Sequence, residues 1–219
     1  MSDYLKVVYS EKERPYTSYP EKLCRHLFER FNLKKGQKLL DLGCGRGEFL
    51  RGFARLGMET EGLDNCASAK EMSKGHKVSL ADFEKDKLPY PDNYFDAIFC
   101  KSVVEHFYYP EKIFQEAYRI LKPGGKFIVM TPDWEAVYKT FYEDYTHRTP
   151  FTVASLRDIY AIFGFGDVLV CKFRQLPLLW KLPFLNIFSI MIAAVCPRSK
   201  IKAIRFSKEI MLLGCAAKK

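Results

Sequence analysis

The stretch LLDLGCGRGEF, residues 39 to 49, constrains this chain more than any other part of it. An apolar run carrying Asp41 breaks into alternating glycines at 43, 45 and 47, and Glu48 then opens a segment with Phe49, Leu50, Phe53 and Leu56 on one helical face. Such a pattern reads as a buried strand, a glycine turn and a helix. In open α/β sheets that turn lies at the carboxyl end of the first strand, where ligands bind. A dinucleotide turn has the form G-x-G-x-x-G, but Glu48 occupies the third glycine's place. A carboxylate in the first helical turn would also face a pyrophosphate seated at that helix N-terminus, which is unfavourable. No Gly-Lys-Ser/Thr follows, so a phosphate-loop reading fails as well. A phosphate-free nucleoside is the better guest. Asp64 lies 19 residues after Gly45. It is placed either to accept hydrogen bonds from ribose hydroxyls or to form a turn.

The remaining pattern extends this unit into a doubly wound sheet. Ser18-Tyr19-Pro20-Glu21 has the form of a capping box before a helix whose Leu23, Leu27 and Phe31 share a face. Strands are expected at 38–42, 58–63, 77–80, 95–100, 126–130, 167–173 and 209–216. Helices fall between them, including 110–121 and a Thr152-capped helix ended by Gly164. Strands alternating with helices imply right-handed crossovers and a mostly parallel sheet. The length of 219 residues suits a single domain over 1–219. The opening residues MSDYLKVVYSEKER hold no long apolar core, so no secretory signal is expected. The seven cysteines show no CxxC pair and no histidine at metal spacing. Reduced thiols in a cytoplasmic protein, and no metal site, are the expectation.

Four signals in order resemble the class I S-adenosylmethionine-dependent methyltransferases. They are LLDLGCGRGEFL, EGLDNC, LADFEK, and the pair LPYPDNYFDAIFCKSVVEHF and YRILKPGGKFIVMTP, together covering about residues 18 to 165. The resemblance implies a Rossmann-like seven-stranded sheet whose last strand returns antiparallel between the fifth and sixth. It also implies that S-adenosylmethionine is bound and S-adenosylhomocysteine released. Gly43, Cys44 and Gly45 would let backbone approach the methionine and ribose. Asp41 would contact or orient the methionine amino group, directly or through water. Asp64 would take the ribose hydroxyls, with Asn65 beside the adenine. Asp82 would accept from the adenine amine, with Phe83 contributing a neighbouring amide. Cys100 and Lys101 would border the methyl-donor end, although a solvated charge is the alternative for Lys101.

The resemblance opens two insertions on the carboxyl edge, at about 131–151 and 176–207. The first is aromatic and holds His147, flanked by Asp144 and Arg148; His106 lies in VVEHF after the fourth strand. The two histidines are the candidate bases for a hydroxyl acceptor, each with a structural alternative as a packed or loop-organising residue. The Thr-His pair resembles methyltransferases acting on glycans, quinones or related metabolites. The second insertion is apolar and broken by prolines 177, 183 and 197. It is too short to span a bilayer, which takes about 20 residues. It reads as core, as a lid over an apolar acceptor, or as an interfacial helix next to the basic tail. Between Arg198 and Lys219 seven Lys or Arg oppose one Glu, against a net charge of +9 for the whole chain. A membrane surface or RNA would suit such a tail, but interleaved aromatics are missing and nucleic acid is disfavoured. The expected activity is methyl transfer to a hydroxyl of a small-molecule or lipid- or glycan-linked acceptor, with peripheral contact at the inner membrane face as an option. An RNA or protein methyltransferase and a non-catalytic adenosylmethionine-binding protein remain alternatives. A nicotinamide-dependent oxidoreductase is disfavoured by Glu48. Oligomeric state is not legible.

Overall fold

A computed structural model describes residues 5–6, 11–12, 14–73, 75–195 and 209–219. Seven strands form one sheet in the order β3-β2-β1-β4-β5-β7-β6. They are β1 (Lys38–Leu42), β2 (Glu59–Asp64), β3 (Lys77–Leu80), β4 (Phe95–Lys101), β5 (Leu121–Pro132), β6 (Phe165–Arg174) and β7 (Ile210–Lys218). The pairs from β3 through β5 are parallel, whereas β7 runs antiparallel to both β5 and β6. This is the mostly parallel, doubly wound sheet that the sequence pattern implies, with the antiparallel last strand that the family resemblance implies.

Alternation along the central strands builds two cores. Leu40, Leu42, Ile98 and Cys100 face one side, where Phe114, Phe127, Leu156 and Tyr160 complete the packing. Leu39, Ala97, Phe99, Ile128 and Met130 face the other, against Leu23, Leu27 and Phe53. The helices are α1 (Tyr19–Arg30), α2 (Glu48–Arg55), α3 (Ser68–Met72), α4 (Glu111–Ile120), α5 (Trp134–Val137) and α6 (Val153–Ile162), of which α1, α2, α4 and α6 cover these faces, and two more, α7 (Pro177–Lys181) and α8 (Asn186–Val195), follow β6. Fully buried side chains such as Phe53 contribute roughly 1.5–3 kcal/mol each relative to exposure. Tyr160 is buried without penalty because its hydroxyl donates to Phe127 O at 3.0 Å.

Three expectations change. The Ser18–Glu21 capping box does not form: Ser18 makes no side-chain cap bond, Tyr19 N donates to Thr17 Oγ1 at 3.3 Å instead, and Glu21 pairs with Arg55. The fifth strand is longer than 126–130, because Leu121 already pairs with Phe95; residues 122–125 then bulge before Lys126 opposite Ala97. The sixth strand begins at Phe165, two residues earlier than expected, after Gly164 turns the chain at φ 83°. The Thr152 cap does form, its hydroxyl accepting from Ser155 N while Ser155 Oγ accepts from Thr152 N. Of the expected basic tail from Arg198 to Lys219, residues 198–208 lie outside the described residues, and Ile210–Lys218 form β7.

Candidate active site

The carboxyl ends of β1, β2, β4 and β5 converge on the glycine turn. Gly43, Gly45 and Gly47 have φ of 79°, 50° and 70°, a region that side chains adopt only with strain. Gly43 N and Cys44 N both donate to Leu63 O, at 2.7 and 3.2 Å, which fastens the turn to the end of β2. Gly47 N donates to Cys44 O at 2.8 Å, and Ser73 Oγ donates to Gly45 O at 3.2 Å. Cys44 turns its thiol inward, where a Cβ on Gly62 would meet it at 2.8 Å.

Two acids flank the turn. Asp64, 6% exposed, accepts from Gly45 N at 2.8 Å and Cys66 N at 2.9 Å. Its carboxylate therefore organises the turn it adjoins. Asp41 is 2% exposed, and its Oδ2 is buried with no hydrogen-bond partner among the described residues. Burial, with Asp64 close by, pushes the Asp41 carboxyl up to about 8. An unsatisfied acid of this kind is poised for a cationic group.

The other sequence-selected residues fall in different settings. Asn65 is exposed at the end of β2. Asp82 follows β3 and accepts from Glu84 N at 3.0 Å while pairing with Lys85 at 2.9 Å. Its carboxyl is held below the usual range, above all by the Lys85 ammonium. Phe83 is buried and meets Phe107 edge-on, with ring centroids 5.7 Å apart. Cys100 is fully buried in the core below β4, so its thiol does not reach the carboxyl edge. Lys101 is not a solvated surface charge. It is partly buried, 5.9 Å from the Phe49 ring, and burial pushes its ammonium down to about 8. Glu48 is paired with Arg46 at 2.8 Å. Its charge is thereby compensated, so the electrostatic argument against a pyrophosphate loses force and the missing third glycine carries it.

The loop after β4 joins the glycine turn to a second polar group. Val103 packs against Gly43, and the 3-10 turn Val104–His106 follows directly. Arg148 N and Thr149 N donate to Glu105 O at 2.7 and 3.1 Å, which brings the aromatic insertion onto this turn. The His106 and His147 rings come to 4.9 Å, and His147 also meets Phe141 at 4.5 Å. Thr146 Oγ1 donates to Asp144 Oδ1 at 2.6 Å and lies 2.9 Å from His106 Nδ1. His147 Nδ1 lies 2.7 Å from Phe141 O, and its Nε2 is 3.9 Å from Asp144 Oδ2. Asp144 thus sits beside His147 as the sequence suggested, whereas Arg148 turns its guanidinium to the Tyr145 and His147 carbonyls, at 2.5 and 2.9 Å. Burial, followed by the nearby His147, holds the His106 imidazole below its usual range.

Glu105 is the residue the sequence reading missed. It is fully buried; Oε2 accepts from Thr131 Oγ1 at 3.0 Å, and Oε1 has no partner among the described residues. Burial pushes this carboxyl up to about 7. The visible signal was an acid placed in the apolar run VVEHF just past a strand, which reads as a helix surface charge unless the turn's inward face is known.

In its described part, the second insertion is not core filling. Leu178, Phe184, Ile187, Phe188, Ile190 and Met191 are all more than half exposed, while Trp180 anchors the segment by stacking on His26 and Phe173. Among the described residues no helix is long and apolar enough to cross a membrane.

Comparison with known proteins agrees with this geometry. Residues 16–170 match the family model described as a methyltransferase domain. A ubiquinone/menaquinone biosynthesis C-methyltransferase from Neisseria gonorrhoeae is 36% identical over 119 residues, 49% of this chain and 47% of that protein. The same enzyme from Chromobacterium violaceum is 33% identical over 130 residues, covering 53% and 52%. The match thus spans about half the length of these relatives. Two solved structures share the fold. One is a methyltransferase in complex with the Haloferax volcanii Trm112 activator (TM-score 0.75, 19% identity, 100% of this chain and 97% of that one). The other is Haemonchus contortus phosphoethanolamine N-methyltransferase 2 with S-adenosylmethionine (TM-score 0.70, 18% identity, 99% and 59%). With its glycine turn, its flanking acids and a family match over most of its length, the chain belongs to the S-adenosylmethionine-dependent methyltransferase family, whose methyltransferase-domain model it matches.

Proposed function

We propose that this chain is an active S-adenosylmethionine-dependent methyltransferase and that it methylates a small-molecule acceptor, free or linked to a lipid or glycan, at an ionisable hydroxyl that rests over Glu105, His106 and His147. The observation that carries the reading is that polar group: a buried acid and one imidazole on the loop that also touches the glycine turn, met by a second imidazole from the aromatic insertion. The bound adenosylmethionine supplies a methyl group on a sulfonium that needs no further activation. Asp41 Oδ2, buried and unsatisfied, takes the ammonium of the methionine moiety directly or through water. The backbone of Gly43, Cys44 and Gly45 lets that moiety and the ribose approach closely. Asp64 and Asn65 receive the ribose hydroxyls and adenine edge, Asp82 and Phe83 the adenine amine and ring nitrogen. Lys101 and the Cys100 backbone border the methyl-donor end.

The chain's remaining task is alignment, with reacting atoms held roughly 3–3.5 Å apart. A hydroxyl oxygen also sheds a proton as it attacks. An imidazole that receives it is worth about 10²–10⁴ in rate. His147 is the better placed of the two, because the Asp144 carboxylate lies beside its Nε2.

The partial relatives support a second reading. Their name specifies carbon methylation in quinone biosynthesis, and loss of a ring hydroxyl's proton activates the neighbouring carbon as well as the oxygen. The exposed apolar face of α7 and α8 supports an apolar acceptor and contact with a lipid surface. Screening phenols, sugars and polyprenyl alcohols for formation of S-adenosylhomocysteine tests the proposal. Turnover with a hydroxyl-bearing class, reduced at least about tenfold by His147→Gln, is expected. Turnover only with amines would overturn it.

A further inference from the structure

We propose that Glu105, His106 and His147 form a binding site for one divalent first-row transition cation, with open positions turned toward the acceptor's oxygen. The ligand atoms of these residues all lie within 4.8 Å of one another. Around a common ion at bond lengths near 2.1 Å, ligand atoms are roughly 3.4 Å apart, so a side-chain shift of about 1 Å closes the set. No local motif reveals the group, because 41 positions separate His106 from His147, and contacts across the fold, the Arg148 and Thr149 amides on Glu105 O and Thr146 on His106 among them, bring them together.

The hydrogen bonds around the cluster have the arrangement a metal site requires. Thr146 gives its hydroxyl hydrogen to Asp144, so Thr146 Oγ1 can only accept from His106 Nδ1. The Phe141 carbonyl likewise accepts from His147 Nδ1. Both rings are thus fixed with the hydrogen on Nδ1 and the lone pair on Nε2, the tautomer in which an imidazole ligates through Nε2. Thr131 holds Glu105 by Oε2 alone, leaving Oε1 buried and unpartnered. A fully buried carboxylate oxygen without a partner is costly, and a cation between it and the two rings removes that cost. Asp144 adds a second negative charge at the rim, 3.9 Å from His147 Nε2.

The donor set decides the class of ion. Two imidazoles and one carboxylate suit Zn²⁺, Mn²⁺, Co²⁺ or Fe²⁺ rather than Mg²⁺ or Ca²⁺, which favour all-oxygen sites. Three protein ligands leave at least one coordination position open. The inference rests on the proposed hydroxyl acceptor for its purpose and assigns the two rings as ligands once the ion is present. The existence of the site does not depend on that acceptor.

The test uses the full chain after chelator treatment. Titration with Mn²⁺, followed by loss of the free-ion paramagnetic resonance signal, probes nitrogen and oxygen ligands and avoids the free thiols at Cys24, Cys44, Cys66, Cys100, Cys171 and Cys215. One saturable site per chain is expected. Glu105→Gln and His147→Gln should each weaken it at least about a hundredfold, and Thr146→Val, which removes only the support of His106, about tenfold. Cys66→Ser should leave it unchanged. Binding of S-adenosylhomocysteine, measured on each preparation, reports that the variants are folded. Absence of a stoichiometric site in the parent chain, or a site unaffected by both ligand substitutions, overturns the proposal. A chain that binds S-adenosylhomocysteine but no Mn²⁺ contradicts the metal site alone. A chain that binds Mn²⁺ but no S-adenosylhomocysteine contradicts the functional reading alone.

Discussion

Val103 lies so close to Gly43 that a Cβ on the glycine would come within 2.2 Å of Val103 Cγ2. This contact ties the turn at the end of β1 to the loop after β4, and so couples the cofactor side of the site to Glu105 and His106. Gly43→Ala carries two costs, the steric clash and a left-handed backbone at φ 79° worth about 1–2 kcal/mol. The substitution should reduce S-adenosylhomocysteine affinity at least about tenfold. Adding Val103→Ala should restore the part due to the clash and leave the backbone strain. Isothermal titration of the two single variants and the double variant measures this, and purely additive losses would show that the contact does not couple them.

Asp64 has a double role, because the same carboxylate anchors the Gly45 amide at 2.8 Å and faces the proposed ribose. Asp64→Asn keeps the shape but loses one acceptor, which leaves a backbone amide unsatisfied at a cost of about 1–3 kcal/mol. Thermal unfolding should show the loss without ligand, and the ligand-induced rise in Tm should shrink as well. A stability loss with unchanged binding would confine Asp64 to the turn.

Asp41 makes stability depend on pH. Its carboxyl titrates near 8 in the folded chain against 3.8 when unfolded, because burial keeps it protonated. The folded state therefore retains a proton that the unfolded chain releases. That contribution is complete below about pH 4 and is lost as pH rises through 8. Relative to Asp41→Asn, the parent chain should lose stability across this window by up to about 1.4 kcal/mol per pH unit. An ammonium placed beside Asp41 reverses the preference, so binding at pH 7 should release a proton. Calorimetry in buffers of different ionisation enthalpy detects it.

The exposed apolar face of α8 and of the 3-10 turn Pro183–Leu185 before it should govern contact with lipid. Phe184→Ser with Phe188→Ser alters side chains that are 67% and 55% exposed, and so should leave Tm nearly unchanged. Flotation with anionic vesicles is expected for the parent chain and reduced for the variant. Equal flotation would remove membrane contact as a role for this face.

The fold was legible because its determinants are local. LLDLG, EGLD and FDAIFC each carry a strand's periodicity and end in the residues that turn the chain. The antiparallel return of β7 came from family resemblance, since no short-range pattern sets strand order. Asp41, Asp64 and the glycines could be picked out because the chemistry of the turn is contiguous in sequence. Glu105 and its link to His147 could not, because the Arg148 and Thr149 amides that join them come from the far end of another insertion. The capping box failed for a similar reason: Glu21 found Arg55 on the neighbouring helix, a partner that a local motif does not record.

Product analysis with S-adenosylmethionine carrying a ¹³C methyl group tests the account most directly, because it reports the atom that receives the methyl. With a hydroxyl-bearing aromatic acceptor a ¹³C signal in the methoxy region is expected, strongly reduced in Glu105→Gln and His147→Gln while both variants still bind S-adenosylhomocysteine. A ring-methyl or N-methyl signal, or a methoxy signal unaffected by either substitution, would contradict it.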